Sequence, residues 1–243
     1  MASSNDYKPE YKTVIQFLMI HRMTPYTTLK AVLEKASDGN NTDIDKAIQV
    51  LNDTIQCLLQ KIVTLPCEIT GERMCVLITT ADRDDLRNYL TPIQTEYLHR
   101  VVNAILTSED GFVGAIDAIN LHTQLKKGRI NCVDAENYLD VFVQKKLLMK
   151  DQGFYCLTAL SIAELGPYIS EHYEVENCLL CKSIVIVGVK CPKCEVGLHK
   201  HCFDNFKQSF KKQVKCPKCK NAWIEHIPEP VMSMDHHSSD SDD

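Results

Sequence analysis

Apolar residues recur at helical spacing through the first sixty residues and then shift to the shorter period of strands. In residues 8–23, Val14, Phe17, Leu18 and Met23 fall close to one helix face. After Thr24-Pro25, Leu29, Val32 and Leu33 predict a shorter helix over residues 26–36, closed by Ser37-Asp38-Gly39-Asn40. Asp43 is placed to cap a third helix, with Ile44, Ala47, Ile48, Leu51, Ile55 and Leu58 along one side. Residues 61–67, a turn around Gly71 and residues 75–79 then predict a β-hairpin.

The same order returns. Thr91-Pro92 opens a helix through Tyr97, Leu98, Val101, Val102, Ile105 and Leu106, and residues 111–121 predict a shorter one weakened by two glycines. Asn131 or Asp134 starts a third, carrying Val133, Tyr138, Leu139, Val141 and Phe142, and residues 147–150 and 154–157 flank a turn at Asp151-Gln152-Gly153. A last helix over residues 159–173 leads into a cysteine-rich stretch. Two consecutive units of helix-helix-helix-hairpin order predict two winged-helix domains, at 1–88 and 89–174, the second including the linker helix.

Winged helices often use their third helix to enter a DNA groove. Here the two third helices are acidic: one carries a single Lys46, the other Asp134, Glu136 and Asp140, with Lys145 and Lys146 only past its end. Phosphate binding calls for converging Lys or Arg residues. Protein contact is therefore the expected use of both units. Lys126, Lys127 and Arg129 form a small basic patch that a solvated loop explains equally well.

Residues 178–220 hold seven of the twelve cysteines. Cys178/Cys181, Cys191/Cys194, His199/Cys202 and Cys216/Cys219 form four pairs, each with two residues between its members. A C-x2-C turn offers two thiolates to one tetrahedral metal, so eight ligands predict two zinc ions. Each would contribute about 10–16 kcal/mol, enough to fold a stretch with little core. His199 is preferred to His201, because it keeps the two-residue gap whereas His201 is adjacent to Cys202. Spacing alone leaves open whether consecutive or alternate pairs share a metal.

Composition sharpens two points. With 44% hydrophobic and 24% charged residues, a net charge of −5 and no run of eighteen apolar residues, an ordinary globular protein with no membrane span is expected. The N-terminal MASSNDYKPEYK lacks an apolar signal core, which predicts a reducing compartment where such cysteines bind metal. The cysteine module holds ten lysines against Glu195 and Asp204, while the chain before it and the tail after it are acidic. That basic face suits docking, weak DNA contact or plain solvation. The tail, 228–243, reads as disordered, and its Ser-Ser-Asp-Ser-Asp-Asp ending resembles an acidophilic phosphorylation site.

The ligand order of four cysteines, one histidine and three cysteines occurs in RING-type domains and in PHD fingers. PHD fingers usually carry an aromatic two residues before the seventh ligand, where this chain has Val214. Leu180 inside the first pair, Pro217 after the seventh ligand, and Phe203, Phe206 and Phe210 on a short helix between Cys202 and Cys216 instead resemble RING-type ubiquitin ligases. That resemblance implies a cross-brace, pairs one and three on one zinc and pairs two and four on the other. It implies that Leu180 and Pro217 belong to the groove that takes a ubiquitin-conjugating enzyme. Lys220 matches a position where many RINGs carry a basic residue touching ubiquitin. Many active RINGs have arginine there, and lysine lacks its bidentate geometry, so weak activity of the isolated chain is expected.

Over most of residues 8–227 the chain resembles the non-SMC element one family. The stretches that carry this are SEDGFVGAIDAINL, YLDVFVQKKLLMKDQGFYCLTALSIAELGPYI and CLLCKSIVIVGVKCPKCEVGLHKHC…CPKCKNAW. The resemblance implies an α+β multidomain chain, two tandem winged helices and then a two-zinc RING-type domain at 175–227. It implies a nuclear, chromosome-associated subunit of the SMC five-six complex, acting in recombinational DNA repair. It further implies a MAGE-type winged-helix partner, a nearby kleisin, and ubiquitin transfer helped by the MAGE partner. Two other readings compete: an architectural zinc module using Lys207, Lys211, Lys212 and Lys215 for assembly or DNA, and a methyl-lysine reader built on Trp223 and Tyr173.

Overall fold

In this computed structural model the described residues are 7–38, 43–80, 90–210 and 213–223. The first unit opens with α1 (Tyr11–His21), whose buried residues Tyr11, Val14 and Leu18 lie on one stripe. Arg22, with φ +58°, ends the helix and turns the chain into a three-residue strand, β1 (Met23–Pro25). Pro25 leads into α2 (Tyr26–Ala36), which buries Leu29 and Leu33. The Asp43 carboxylate accepts the N–H groups of Asp45 and Lys46 and so caps α3 (Ile44–Ile55). Strands β2 (Gln60–Pro66) and β3 (Arg73–Thr79) form the wing, and the sheet order is β1-β3-β2.

The second unit repeats this order with smaller strands. Thr91 and Gln94 form a reciprocal capping box at the start of α4 (Pro92–Thr107). Then come β4 (Val113–Gly114), α5 (Ala115–Asn120) and α6 (Cys132–Gln144). Asn131 and Asp134, alternative start signals in the sequence, act together: Asn131 caps α6 and Asp134 bonds back to the Asn131 N–H. The wing pairs β5 (Leu148–Asp151) with β6 (Phe154–Leu157), in the sheet order β4-β6-β5. The winged-helix reading of both units holds. Helix α7 (Ala159–His172), capped by the Thr158 hydroxyl, follows.

Several expectations need correction. Each unit has a short first strand: β1 where a helix-to-helix turn was expected, and β4 inside the stretch expected to be helical. Met23 therefore lies in a strand and not on the α1 face. Leu58 sits in a 3-10 turn beyond α3 and is 66% exposed, because the regular helix ends at Ile55. Val133, in the first turn of α6, is 64% exposed. The helix expected over residues 111–121 is confined to Ala115–Asn120, since residues 113–114 pair with β6.

Each unit has its own core. In the first, Val14, Leu18, Leu29, Leu33, Ala47 and Leu51 are essentially closed to solvent. In the second, Tyr97, Val101, Ile105, Leu139 and Phe142 are. A third apolar cluster joins Met74 and Val76 of β3 to Ala159 and Leu160 of α7, so α7 lies against the first unit's sheet. Polar contacts from α7 and from the loop before β5 also tie the second unit to the first. Arg22 pairs with the nearly buried Glu164 of α7, and Lys146 Nζ donates to the carbonyls of His21 and Met23 at 2.9 and 3.0 Å. No helix among the described residues is long and apolar enough to cross a membrane.

Candidate metal centre

Past α7 the chain has little regular structure. Two short ladders, β7 (Glu176–Asn177) with β8 (Ile184–Val185) and β9 (Val189–Lys190) with β10 (Gly197–Leu198), support three tight C-x2-C turns, while the fourth pair, His199 and Cys202, lies at the start of a helix. The turns share one geometry. The N–H of Lys182 bonds to the Cys178 carbonyl, Glu195 to Cys191, and Lys220 to Cys216, at 2.8, 2.8 and 3.0 Å. Lys182, Glu195 and Lys220 all take positive φ, from +57° to +67°. A C-x2-C segment followed by a left-handed residue curls its amides and sulfurs to one side. Helix α8 (Lys200–Gln208) starts before Cys202, not after it, and Phe210 lies beyond its end.

The four pairs assemble alternately. Cys178, Cys181, His199 and Cys202 make one cluster; Cys191, Cys194, Cys216 and Cys219 make the other, each with its ligand atoms within 4.8 Å of one another. This is the crossed arrangement, which spacing could not decide. His199 lies inside the first cluster. His201 lies outside it, stacked on the His199 ring at a centroid distance of 5.0 Å.

The distances fit zinc. Tetrahedral zinc with zinc–sulfur bonds of about 2.3 Å sets neighbouring sulfurs roughly 3.8 Å apart. Cys191 and Cys219 Sγ are 3.9 Å apart, and Cys194 and Cys216 Sγ 3.7 Å. His199 Nδ1 is 3.2 Å from Cys181 Sγ and 3.9 Å from Cys202 Sγ.

The electrostatics agree. Burial opposes the Cys178 thiolate, but the N–H groups of Cys181, His199 and Leu180 outweigh it and hold the thiol down to about 6. The Asn221 N–H holds Cys219 down to about 6. Opposite them, burial and the Cys178 and Cys181 sulfurs push Cys202 up to about 12. Although the Val196 N–H favours the Cys194 thiolate, burial and the crowding sulfurs push it up to about 12 as well. A divalent cation removes that conflict by letting all the thiols ionise together. The two clusters are consistent with two zinc ions.

The Phe203 and Trp223 rings pack at a tilt, with centroids 4.5 Å apart, and are 1% and 7% exposed, forming the module's small apolar core with Val196 and Leu198. That placement removes the methyl-lysine reading. Trp223 is core, Tyr173 donates its hydroxyl to Asn103 Oδ1 at 3.0 Å, and no aromatic cage results. Phe203 likewise faces inward rather than lining a docking groove.

The residues assigned to a conjugating enzyme differ in setting. Leu180 is an exposed apolar side chain, 37% open. Pro217, the apolar residue of the last ligand turn, is half-buried. Lys220 is exposed, and its Nζ donates to the Pro217 carbonyl at 3.0 Å, folding the ammonium back over that turn. Of the lysines of the basic face, Lys207 and Lys215 are exposed, Lys207 lying 6.0 Å from the Phe203 ring. Lys211, Lys212 and the tail fall outside the described residues.

One participant was not read from the sequence. Glu68, at the tip of the first wing, is 6% exposed and reaches His199 across 131 positions of chain. Nothing in the local CEITGE stretch marks it.

Comparison with known proteins converges on one family. A profile described as a RING-like domain matches residues 178–219. The non-structural maintenance of chromosomes element 1 homolog of Homo sapiens is 28% identical over 90% of this chain and 85% of its own length. The proteins of the same name from Bos taurus and Drosophila melanogaster are 26% and 27% identical, over 90% and 79% of this chain and 85% and 83% of theirs. A solved chain titled Nse1-Nse3-Nse4 complex superposes with a TM-score of 0.79 at 23% identity, covering 91% of this chain and 99% of that one. The resemblance to the non-SMC element one family therefore extends over nearly the whole chain, and the fold is shared throughout.

Proposed function

We propose that this chain, similar over nine-tenths of its length to non-SMC element one homologs, is the RING-type ubiquitin ligase subunit of an SMC five-six complex. The observation that carries this is the crossed pair of four-ligand clusters within the RING-like match, with Leu180 and Pro217 presented at two of its ligand turns. In this reading Cys178, Cys181, His199 and Cys202 ligate one zinc, and Cys191, Cys194, Cys216 and Cys219 the other. Both spheres are full, so the metals shape the module and supply no open position for a reacting water. Leu180 and Pro217 bind the conjugating enzyme, and Lys220 adds a positive charge for ubiquitin. The contribution to catalysis is positioning of a charged thioester. Because Lys220 is drawn back onto Pro217 and lacks the arginine fork, transfer by the isolated chain is weak and rises with a MAGE-type partner.

The partners follow from the same likeness, since the solved chain of this fold is titled as part of an Nse1-Nse3-Nse4 complex. We assign a MAGE-type winged-helix subunit and a kleisin as partners, in a nuclear, chromosome-associated setting, with action in recombinational repair. The domains divide at 1–88, 89–174 and 175–227, with 228–243 as a tail.

In vitro ubiquitylation with and without the MAGE-type partner, beside zinc quantification, tests the reading. Leu180→Ala or Pro217→Ala should lower transfer about tenfold while both zinc equivalents stay bound. Unchanged transfer in both variants would sink the ligase assignment. It would favour the architectural reading, whose support is that the module packs on the body of the chain: Ile184 and Ile186 lie against the second unit's core. That reading predicts that charge reversal at Lys207, Lys211, Lys212 and Lys215 weakens complex assembly or DNA binding and its salt dependence.

A further inference from the structure

The first wing ends inside the zinc module. Beyond the last strand pair, Pro66 with Arg73, the tip is a closed turn: Cys67 N–H bonds to the Glu72 carbonyl and Gly71 N–H to the Cys67 carbonyl, both at 2.8 Å. This turn projects Glu68 into the module, where its carboxylate is nearly closed to solvent. Oε1 accepts from the Ile186 N–H at 2.8 Å and from His199 Nε2 at 3.1 Å; Oε2 accepts from the Val187 N–H at 3.1 Å. A second oxygen, the Ile184 carbonyl, lies 2.8 Å from the same Nε2. Two acceptors facing Nε2 require the proton there, which leaves the Nδ1 lone pair directed at the Cys181 and Cys202 sulfurs.

We propose that Glu68 is the outer-shell carboxylate of the first zinc site, a positioning residue supplied by the first winged helix, which fixes the His199 tautomer and locks the zinc module to that wing. Histidine ligands commonly donate their second N–H to such a carboxylate, and removal of the partner lowers metal affinity about 10–100-fold. The surroundings support a built site. Glu68 takes three N–H donors and no water-facing role, and His201 covers the His199 ring on the side of the wing, close enough that a Cβ on Gly71 would come within 2.6 Å of it. The second cluster has no such tie among the described residues: none of its described contacts reaches either winged helix. The two zincs are thus unequal. One belongs to the module alone, and the other is completed by a residue from more than a hundred positions earlier.

The proposal rests on the two-zinc reading, and the test separates the two. Full-length chain, unaltered and as Glu68→Gln, is loaded with zinc and challenged with a chelator while metal release is followed. The glutamine keeps the side-chain shape but has one acceptor oxygen, so an NH2 must face a former donor. The unaltered chain should hold two equivalents. Glu68→Gln should lose one of them 10–100-fold more readily and retain the other at the unaltered rate. Cadmium substitution identifies the labile site, because three sulfurs with one nitrogen and four sulfurs give separate NMR signals. In the unaltered chain, nitrogen-labelled histidine NMR should show a slowly exchanging proton on His199 Nε2 and metal on Nδ1, an observation that needs no variant to fold. Equal release from both sites in Glu68→Gln, or metal on Nε2 in the unaltered chain, would overturn the proposal. Fewer than two equivalents in the unaltered chain would overturn the zinc reading, and the proposal with it.

Discussion

The two winged helices share an element order and a sheet order, yet their wings do different things. The first has seven-residue strands, and its tip is buried, with Glu68 bonded to three groups of the zinc module and Gly71 pressed against His201. The second has four-residue strands, and its tip, Gln152-Gly153, turns through positive φ with nothing within 4 Å of where a Gly153 Cβ would stand. One wing is an internal strut and the other a free edge. The same topology thus says little about which surface is available to a partner. The second unit's open wing, with Phe154 49% exposed at its tip, remains presentable, whereas the first wing is already occupied by its own chain.

Metal removal should break the comparison most completely. Each zinc supplies about 10–16 kcal/mol of folding free energy, and the module's own apolar core is a handful of residues around Phe203 and Trp223. Stripping both ions with a chelator should unfold residues 178–223 while the two winged-helix cores keep their helices. Hydrogen exchange would report it: protection at Ile186 and Val187 disappears and exchange around the first wing tip rises, while the second tip is unchanged. Retained protection at Ile186 after complete zinc loss would mean that the module folds without metal.

Substitution at the two tip glycines sharpens the same contrast. Gly71 and Gly153 both sit at positive φ, +71° and +86°, where a side chain costs about 1 kcal/mol from backbone strain alone. Gly153→Ala should cost about that, since its Cβ meets nothing. Gly71→Ala adds the collision with His201, and overpacking of that kind adds about 1–3 kcal/mol. Chemical denaturation of the zinc-loaded variants would therefore place Gly71→Ala well below Gly153→Ala. Equal losses would show that the first wing yields as freely as the second.

Much of this was legible in the sequence, and the exceptions have physical reasons. Equal two-residue gaps announced eight ligands, because a metal turn imposes a local spacing, and His199 satisfied that spacing where His201 did not. Start signals at Asp43, Thr91 and Asn131 act within one helical turn and so were visible as well. Strands β1 and β4 were not, since two or three residues carry no period; they exist because β3 and β6 offer them an edge. Trp223 looked available only because its burial depends on Phe203, twenty positions away. Glu68 was the least legible of all. Its role arises where a wing of the first unit meets the last module, and no local pattern records that meeting.

The smallest expected effect lies along the seam that holds the first unit to α7, and it runs in the opposite pH direction to metal loss. Burial holds the Glu164 carboxyl above its ordinary value, and the charge and hydrogen bond of Arg22 only partly offset it. A carboxyl whose folded pKa is raised contributes stability that is fully present below the unfolded value of 4.5 and is lost as pH rises through the folded value. Zinc sites behave the other way, because their thiolates must be protonated as pH falls. Glu164→Gln cannot ionise, so relative to the unaltered chain it should gain stability as pH is raised from 4.5 towards neutrality. Zinc loss acts equally on both proteins and cancels in the difference between their denaturation midpoints. A difference that stays flat across that range would show that Arg22 compensates the buried charge in full.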